Sequence, residues 1–126
     1  HIIILSGGYG AVLAQEPIGN YNQSLKISWW PDKLLQRVLL SYAKLQGVAT
    51  VRAFSSATSP YFSVLNGVQW SEAGIRDALL ISPERQTGGT VKSPASIGEA
   101  IAALAAGQLS VGWQSSHKLG INVYGA

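Results

Sequence analysis

Cysteine and methionine are absent from these 126 residues, and charge is scarce. Without cysteine there is no disulfide scaffold, no thiolate nucleophile and no cysteine-based zinc site. Two histidines, one of them residue 1, argue against a histidine-rich metal centre, so neither metal nor cofactor is implied. Charged residues make up 12% of the chain, against about 25% in an ordinary soluble domain. That scarcity excludes a coiled coil, a polyelectrolyte tail and a disordered segment. It also implies covered surface, shielded by another copy in a homo-oligomer, by a partner, or by missing chain. No stretch approaches the ~20 apolar residues of a membrane span, and no basic leader region is present. We therefore expect a soluble, cytoplasmic protein that does not engage a membrane.

What is present is 47% hydrophobic residue content and a net charge of +3. The length suits a single α/β domain (residues 1–126), burying roughly two-thirds of its unfolded surface. Ile2 to Leu5 follow His1 as a strand already under way, which reads as a fragment of a longer chain lacking its N-terminal part. The mild positive balance permits an anionic partner without demanding one.

The continuous apolar run Ile2–Leu5 predicts a strand covered on both faces. It stops at Ser6-Gly7-Gly8-Tyr9-Gly10. Ala11 to Ser28 reads as an ordered loop with a short helix at Ala11–Ala14. Pro31 to Gln46 predicts the best helix, opened by Pro31 and stopped by Gly47. Leu34, Leu35, Val38, Leu39, Tyr42 and Leu45 form its apolar stripe, and Lys33, Arg37 and Lys44 share another face. Strands follow at Val48–Phe54 and Ala78–Ile81, with a short helix from Pro60 to Asn66-Gly67 between them. A further helix opens at Ser93-Pro94, with Ser96 and Glu99 at capping-box spacing, and ends at Gly107. Alternation at Leu109, Val111 and Trp113, then at Leu119, Ile121 and Val123, predicts a terminal hairpin. The fold expected is α/β: a mainly parallel sheet flanked by helices, with a C-terminal antiparallel hairpin.

The glycine-rich turn at Ser6–Gly10 is the sharpest local feature. Such a turn at the carboxyl end of a buried strand can present backbone N–H groups to an anion. It is neither a Walker A loop, nor a dinucleotide fingerprint, nor a nucleophile elbow. The bland alternative is a tight turn with a packed tyrosine. If the first two predicted strands are parallel neighbours, the Ser55–Tyr61 turn opens on the same sheet edge. Ser6, Gly7, Gly8, Tyr9, Gly10, Ser56 and Tyr61 then line one ligand pocket, closed by Tyr21. Lys33, Arg37 and Lys44 could track phosphates, or form an ordinary solvated face. The six carboxylates are scattered singly and His117 has no evident partner, so no catalytic residue is named. Two function classes stay open. One is a binding module for DNA, and the other an enzyme using the same pocket on a nucleotide or nucleobase.

Two linked stretches carry a family resemblance. Ile4-Leu5-Ser6-Gly7-Gly8-Tyr9-Gly10, with Val12-Leu13, Pro17-Ile18 and Tyr21, resembles the strand-turn signature of the YaaA-type peroxide-stress proteins. Ala53-Phe54-Ser55-Ser56, then Ser59-Pro60-Tyr61-Phe62 and Val64, is similar to the family's second strand and helix start. Between them lie a Trp-containing segment and an amphipathic helix, again as in that family. The likeness covers roughly residues 2–65, and is shared with related stand-alone domains of unknown function. Asn22 stands where the family carries Arg or Asp, and its lysine-rich C-terminal signature is not recognisable. The resemblance implies DNA binding and protection from oxidative damage, with no established catalytic reaction.

Overall fold

The computed structural model describes residues 1–20, 22–84, 92–110, 112–116, 118 and 120–125. Chain order is β1 (Ile3–Ser6), β2 (Gly10–Leu13), α1 (Leu34–Leu45), β3 (Thr50–Phe54), α2 (Pro60–Asn66), β4 (Asp77–Pro83), α3 (Lys92–Ala105) and β5 (Ile121–Gly125). Short 3₁₀ turns precede α1 at Ile27–Trp29 and β4 at Trp70–Ala73. The class is α/β, but the sheet is not mainly parallel. β1 and β2 form a separate antiparallel hairpin, and a second sheet has the order β3-β4-β5. Only β3 and β4 run parallel; β5 pairs antiparallel with β4, Ile81 opposite Val123.

Three local differences explain the correction. The glycines at 7, 8 and 10 let the chain double back at once, so Gly10–Leu13 pairs with β1 rather than coiling into a helix. β1 then alternates instead of being covered on both faces. Ile3 and Leu5 pack on the core, while Ile2 and Ile4 are 65% and 52% exposed. At the other end, the described residues between 106 and 120 contain no strand, and β5 takes β4 as partner instead of the expected hairpin arm. Val111, His117 and Leu119 lie outside the described residues.

α1 begins later than Pro31 predicts. Asp32 and Lys33 adopt left-handed backbone, with φ of 57° and 54°, so Pro31–Lys33 is a turn. Each such non-glycine residue costs roughly 1–2 kcal/mol, which tertiary packing of α1 must offset. The helix ends as Gly47 requires: with φ of 61°, its N–H bonds Lys44 C=O while Val48 N–H bonds Ala43 C=O. Its buried row is Leu35, Leu39 and Ala43, packed with Leu25, Val64, Trp70 and Ala78. Val38 and Leu45 leave the predicted stripe, at 43% and 83% exposed. At about 100° per residue they sit roughly 60° and 80° round the helix from Leu35, away from Leu39 and Ala43.

α3 corrects a further detail. Ser96 and Glu99 lie inside the helix instead of capping it. Ser96 Oγ donates to Ser115 Oγ at 2.8 Å, and Glu99 accepts from the backbone N–H of Ser116 at 2.7 Å. Both side chains therefore tie the 115–116 loop to the helix. No helix among the described residues is long and apolar enough to cross a membrane.

Candidate functional site

The Ser6–Gly10 turn is packed against the chain's own loop. A Cβ on Gly7 would lie 2.7 Å from the carbonyl carbon of Ser24 and closer still to the carbonyl oxygen of Gln23. Gly10 has φ of 82°, and a Cβ there would lie 2.6 Å from the Trp30 indole. Ser6 is buried and its Oγ accepts from Tyr9 N–H at 3.2 Å. The Tyr9 hydroxyl accepts from Gly19 N–H at 2.8 Å. Gly8 is exposed at the tip, and Tyr21 lies outside the described residues. The close approach that these glycines permit is thus made by residues 23, 24 and 30.

The second turn is likewise knitted together. Ser55 Oγ and Ser59 Oγ are 2.9 Å apart, Ser56 Oγ and Thr58 Oγ1 are 3.2 Å apart, and Ser59 caps α2 through Phe62 N–H. Tyr61 packs against the core. The two turns do not share a sheet edge, because β1 and β3 belong to different sheets. Parallel pairing of those strands was the premise of a common pocket, and that premise is removed.

The cations stand differently. Lys33, Arg37 and Lys44 are all exposed. At about 100° per residue Arg37 and Lys44 lie about 20° apart on the side of α1 away from Leu39 and Ala43, and Lys33 stands in the left-handed turn just before the helix. Nearby, Trp29 is 53% exposed, with Lys26 Nζ 5.1 Å from its ring centroid. Among the described residues the ion pair is Arg52 with Asp77, at 2.8 Å, so these three cations meet no carboxylate there. The Arg52 guanidinium also donates to the Asp77 carboxylate and, through that hydrogen bond, holds its pKa below the ordinary value against an opposing desolvation.

A cleft of about 450 Å³ opens on the opposite side of α1. Its walls include Ile3 of β1, Leu39 and Tyr42 of α1, the run Thr50–Ala53 of β3, and Trp70. His1 stands at its mouth, its Nδ1 3.3 Å from the Tyr42 hydroxyl and the rings edge-to-face at 6.0 Å. None of Ser6, Tyr9, Ser56 or Tyr61 lines this cleft. Sequence reasoning did not bring His1, Tyr42 and Thr50–Ala53 together. No local pattern could have done so, because β3 becomes an edge only when β1 turns to β2. No known family model, curated protein or solved structure matches this chain.

Proposed function

We propose that this chain is a non-enzymatic DNA-binding domain that contacts the phosphate backbone through the solvent face of α1. One observation carries the proposal: Lys33 at the head of α1, and Arg37 and Lys44 on its solvent side, are exposed and take no part in the described ion pair. Cations already paired would have to break their pairs before meeting a phosphate. These do not. The net charge of +3 favours the encounter, and exposed Trp29 lies at the same end of α1 as Lys33. The resemblance of residues 2–65 to the peroxide-stress proteins supports the same reading, and extends it to protection of DNA under oxidative stress.

Backbone contact releases condensed counterions, so affinity for a short duplex should fall with log[salt] at a slope of about −2 to −3 for three contacts. Fluorescence anisotropy measures this directly. Arg37→Glu should weaken binding equally for two unrelated duplex sequences, since phosphates carry no sequence information. Absence of binding at low salt, or a salt-independent affinity, refutes the proposal. A thermal-shift screen of mononucleotides addresses the enzyme alternative, which a tight nucleotide ligand would favour.

A further inference from the structure

We infer that the DNA held by this domain is single-stranded, with one base stacked on the exposed indole of Trp29. That stacking depends on the phosphate contact proposed above and adds the bases to it. Its origin lies in the pair Trp29-Trp30. Trp30 is drawn under the hairpin, where a Cβ on Gly10 would lie 2.6 Å from its ring, and it packs against the core. Ile27–Trp29 is a 3₁₀ turn, and Trp30 N–H extends it by donating to Ile27 C=O at 2.9 Å. Successive side chains in such a turn point about 120° apart. Burying Trp30 therefore turns Trp29 outward, and Trp29 is 53% exposed.

The turn also fixes the indole in place. Trp29 N–H donates to Lys26 C=O at 3.0 Å. Side chains three apart in a 3₁₀ turn lie one above the other, and Lys26 Nζ sits 5.1 Å from the Trp29 ring centroid. The ring quadrupole engages that ammonium group, so its charge is not counted toward phosphate. With Lys26 in place, more than half of Trp29 still faces solvent. The same stretch runs directly into the basic helix. Leu34 N–H donates to Pro31 C=O at 3.1 Å, and Arg37 N–H donates to Lys33 C=O at 2.9 Å. Stacking surface and phosphate-binding cations therefore stand on one hydrogen-bonded run of chain.

The chemistry of stacking selects the form of the nucleic acid. In a duplex both faces of a base are covered by its neighbours in the stack, and parting them costs a few kcal/mol. In a single strand those faces open readily. An aromatic side chain then stacks on any base, because every base has a π-face, while neighbouring cations track the backbone. Trp29 supplies the first element here, and Lys33 and Arg37 supply the second. A duplex would reach the cations alone.

The test uses the whole chain and two short labelled DNA strands with equal numbers of phosphates. One has mixed sequence without self-pairing, and the other is abasic throughout. Fluorescence anisotropy should find the normal strand bound about five- to 150-fold tighter, the factor that one base stack supplies. Trp29→Ala should reduce the normal strand to the affinity of the abasic one. Trp29→Phe, which keeps a π-face, should retain part of the difference. Against a hairpin-closed duplex, Trp29→Ala should lower the preference for the normal strand by the same factor. Arg37→Glu should weaken the normal and abasic strands equally. Equal affinity of the parent for those two strands overturns the stacking while the phosphate contact stands. So does a difference that Trp29→Ala leaves intact. Failure of strands and duplex alike to bind at low salt refutes the phosphate contact, and the stacking with it.

Discussion

Glycines of the same type answer to different physics. Gly7 faces the backbone of Gln23 and Ser24, which cannot rotate aside as a flexible side chain can. Gly7→Ala should therefore destabilise by about 1–3 kcal/mol, the usual cost of overpacking. Gly98 lies in α3 with nothing within 4 Å of a built Cβ, so Gly98→Ala should stabilise by roughly 0.5–1 kcal/mol. Urea unfolding of the two variants beside the parent measures both signs. Asp77 is a second residue-scale case. Its folded pKa is depressed by Arg52, so the ion pair stabilises the protein above the ordinary aspartate pKa. That contribution is lost as pH falls from the ordinary value through the depressed one. Asp77→Asn should lower the urea midpoint at neutral pH and leave it unchanged at the acid end of a series from about pH 6 to pH 2.

At the scale of the element, α1 separates composition from placement. Eight of its twelve residues are apolar or tyrosine, and any of several arcs could have faced inward. The hairpin, α2 and the Trp70 turn selected the arc of Leu35, Leu39 and Ala43. Leu39→Ala should cost about 2–5 kcal/mol by opening a cavity. Val38→Ala should stay within about 1 kcal/mol, since Val38 is 43% exposed and alanine is the better helix former. Similar losses from both substitutions would contradict the observed helix face. The same rotation leaves Lys33, Arg37 and Lys44 on solvent, where the proposed phosphate contact needs them.

For the whole molecule, the division into a hairpin and a three-stranded sheet has dynamic consequences. β4 has a strand on either side, and Ala78, Leu80, Ile81 and Ser82 are buried. Among the described residues β1 has one partner, and it exposes Ile4. Native-state hydrogen exchange should find the β1–β2 amides opening with less free energy than those of β4, which should exchange by global unfolding. Equal protection would make hairpin and sheet a single cooperative unit.

Much of the chain's local structure was legible in its sequence. Pro60 and Asn66-Gly67 bound α2, Gly47 ends α1, and Gly107 ends α3, because these residues act through their own backbone geometry. The run Val48–Phe54 is a strand, though it starts at Thr50. Strand partners were not legible. An apolar run such as Ile2–Leu5 suits a central parallel strand and a hairpin arm equally well. Which one forms depends on whether the glycine turn after Ser6 reverses at once or leads away. That choice is decided by Gln23–Ser24 closing over Gly7 and Trp30 closing over Gly10, contacts made across 16 to 20 residues of sequence. Residue chemistry alone therefore determined α1 to α3, the stops of α1 and α3 and the α/β class. It also placed a helix at Ala11–Ala14, where β2 forms, and started α1 at Pro31 instead of Leu34. Only tertiary packing decided the strand order, and with it the cleft that Ile3 of β1 and Thr50–Ala53 of β3 line together.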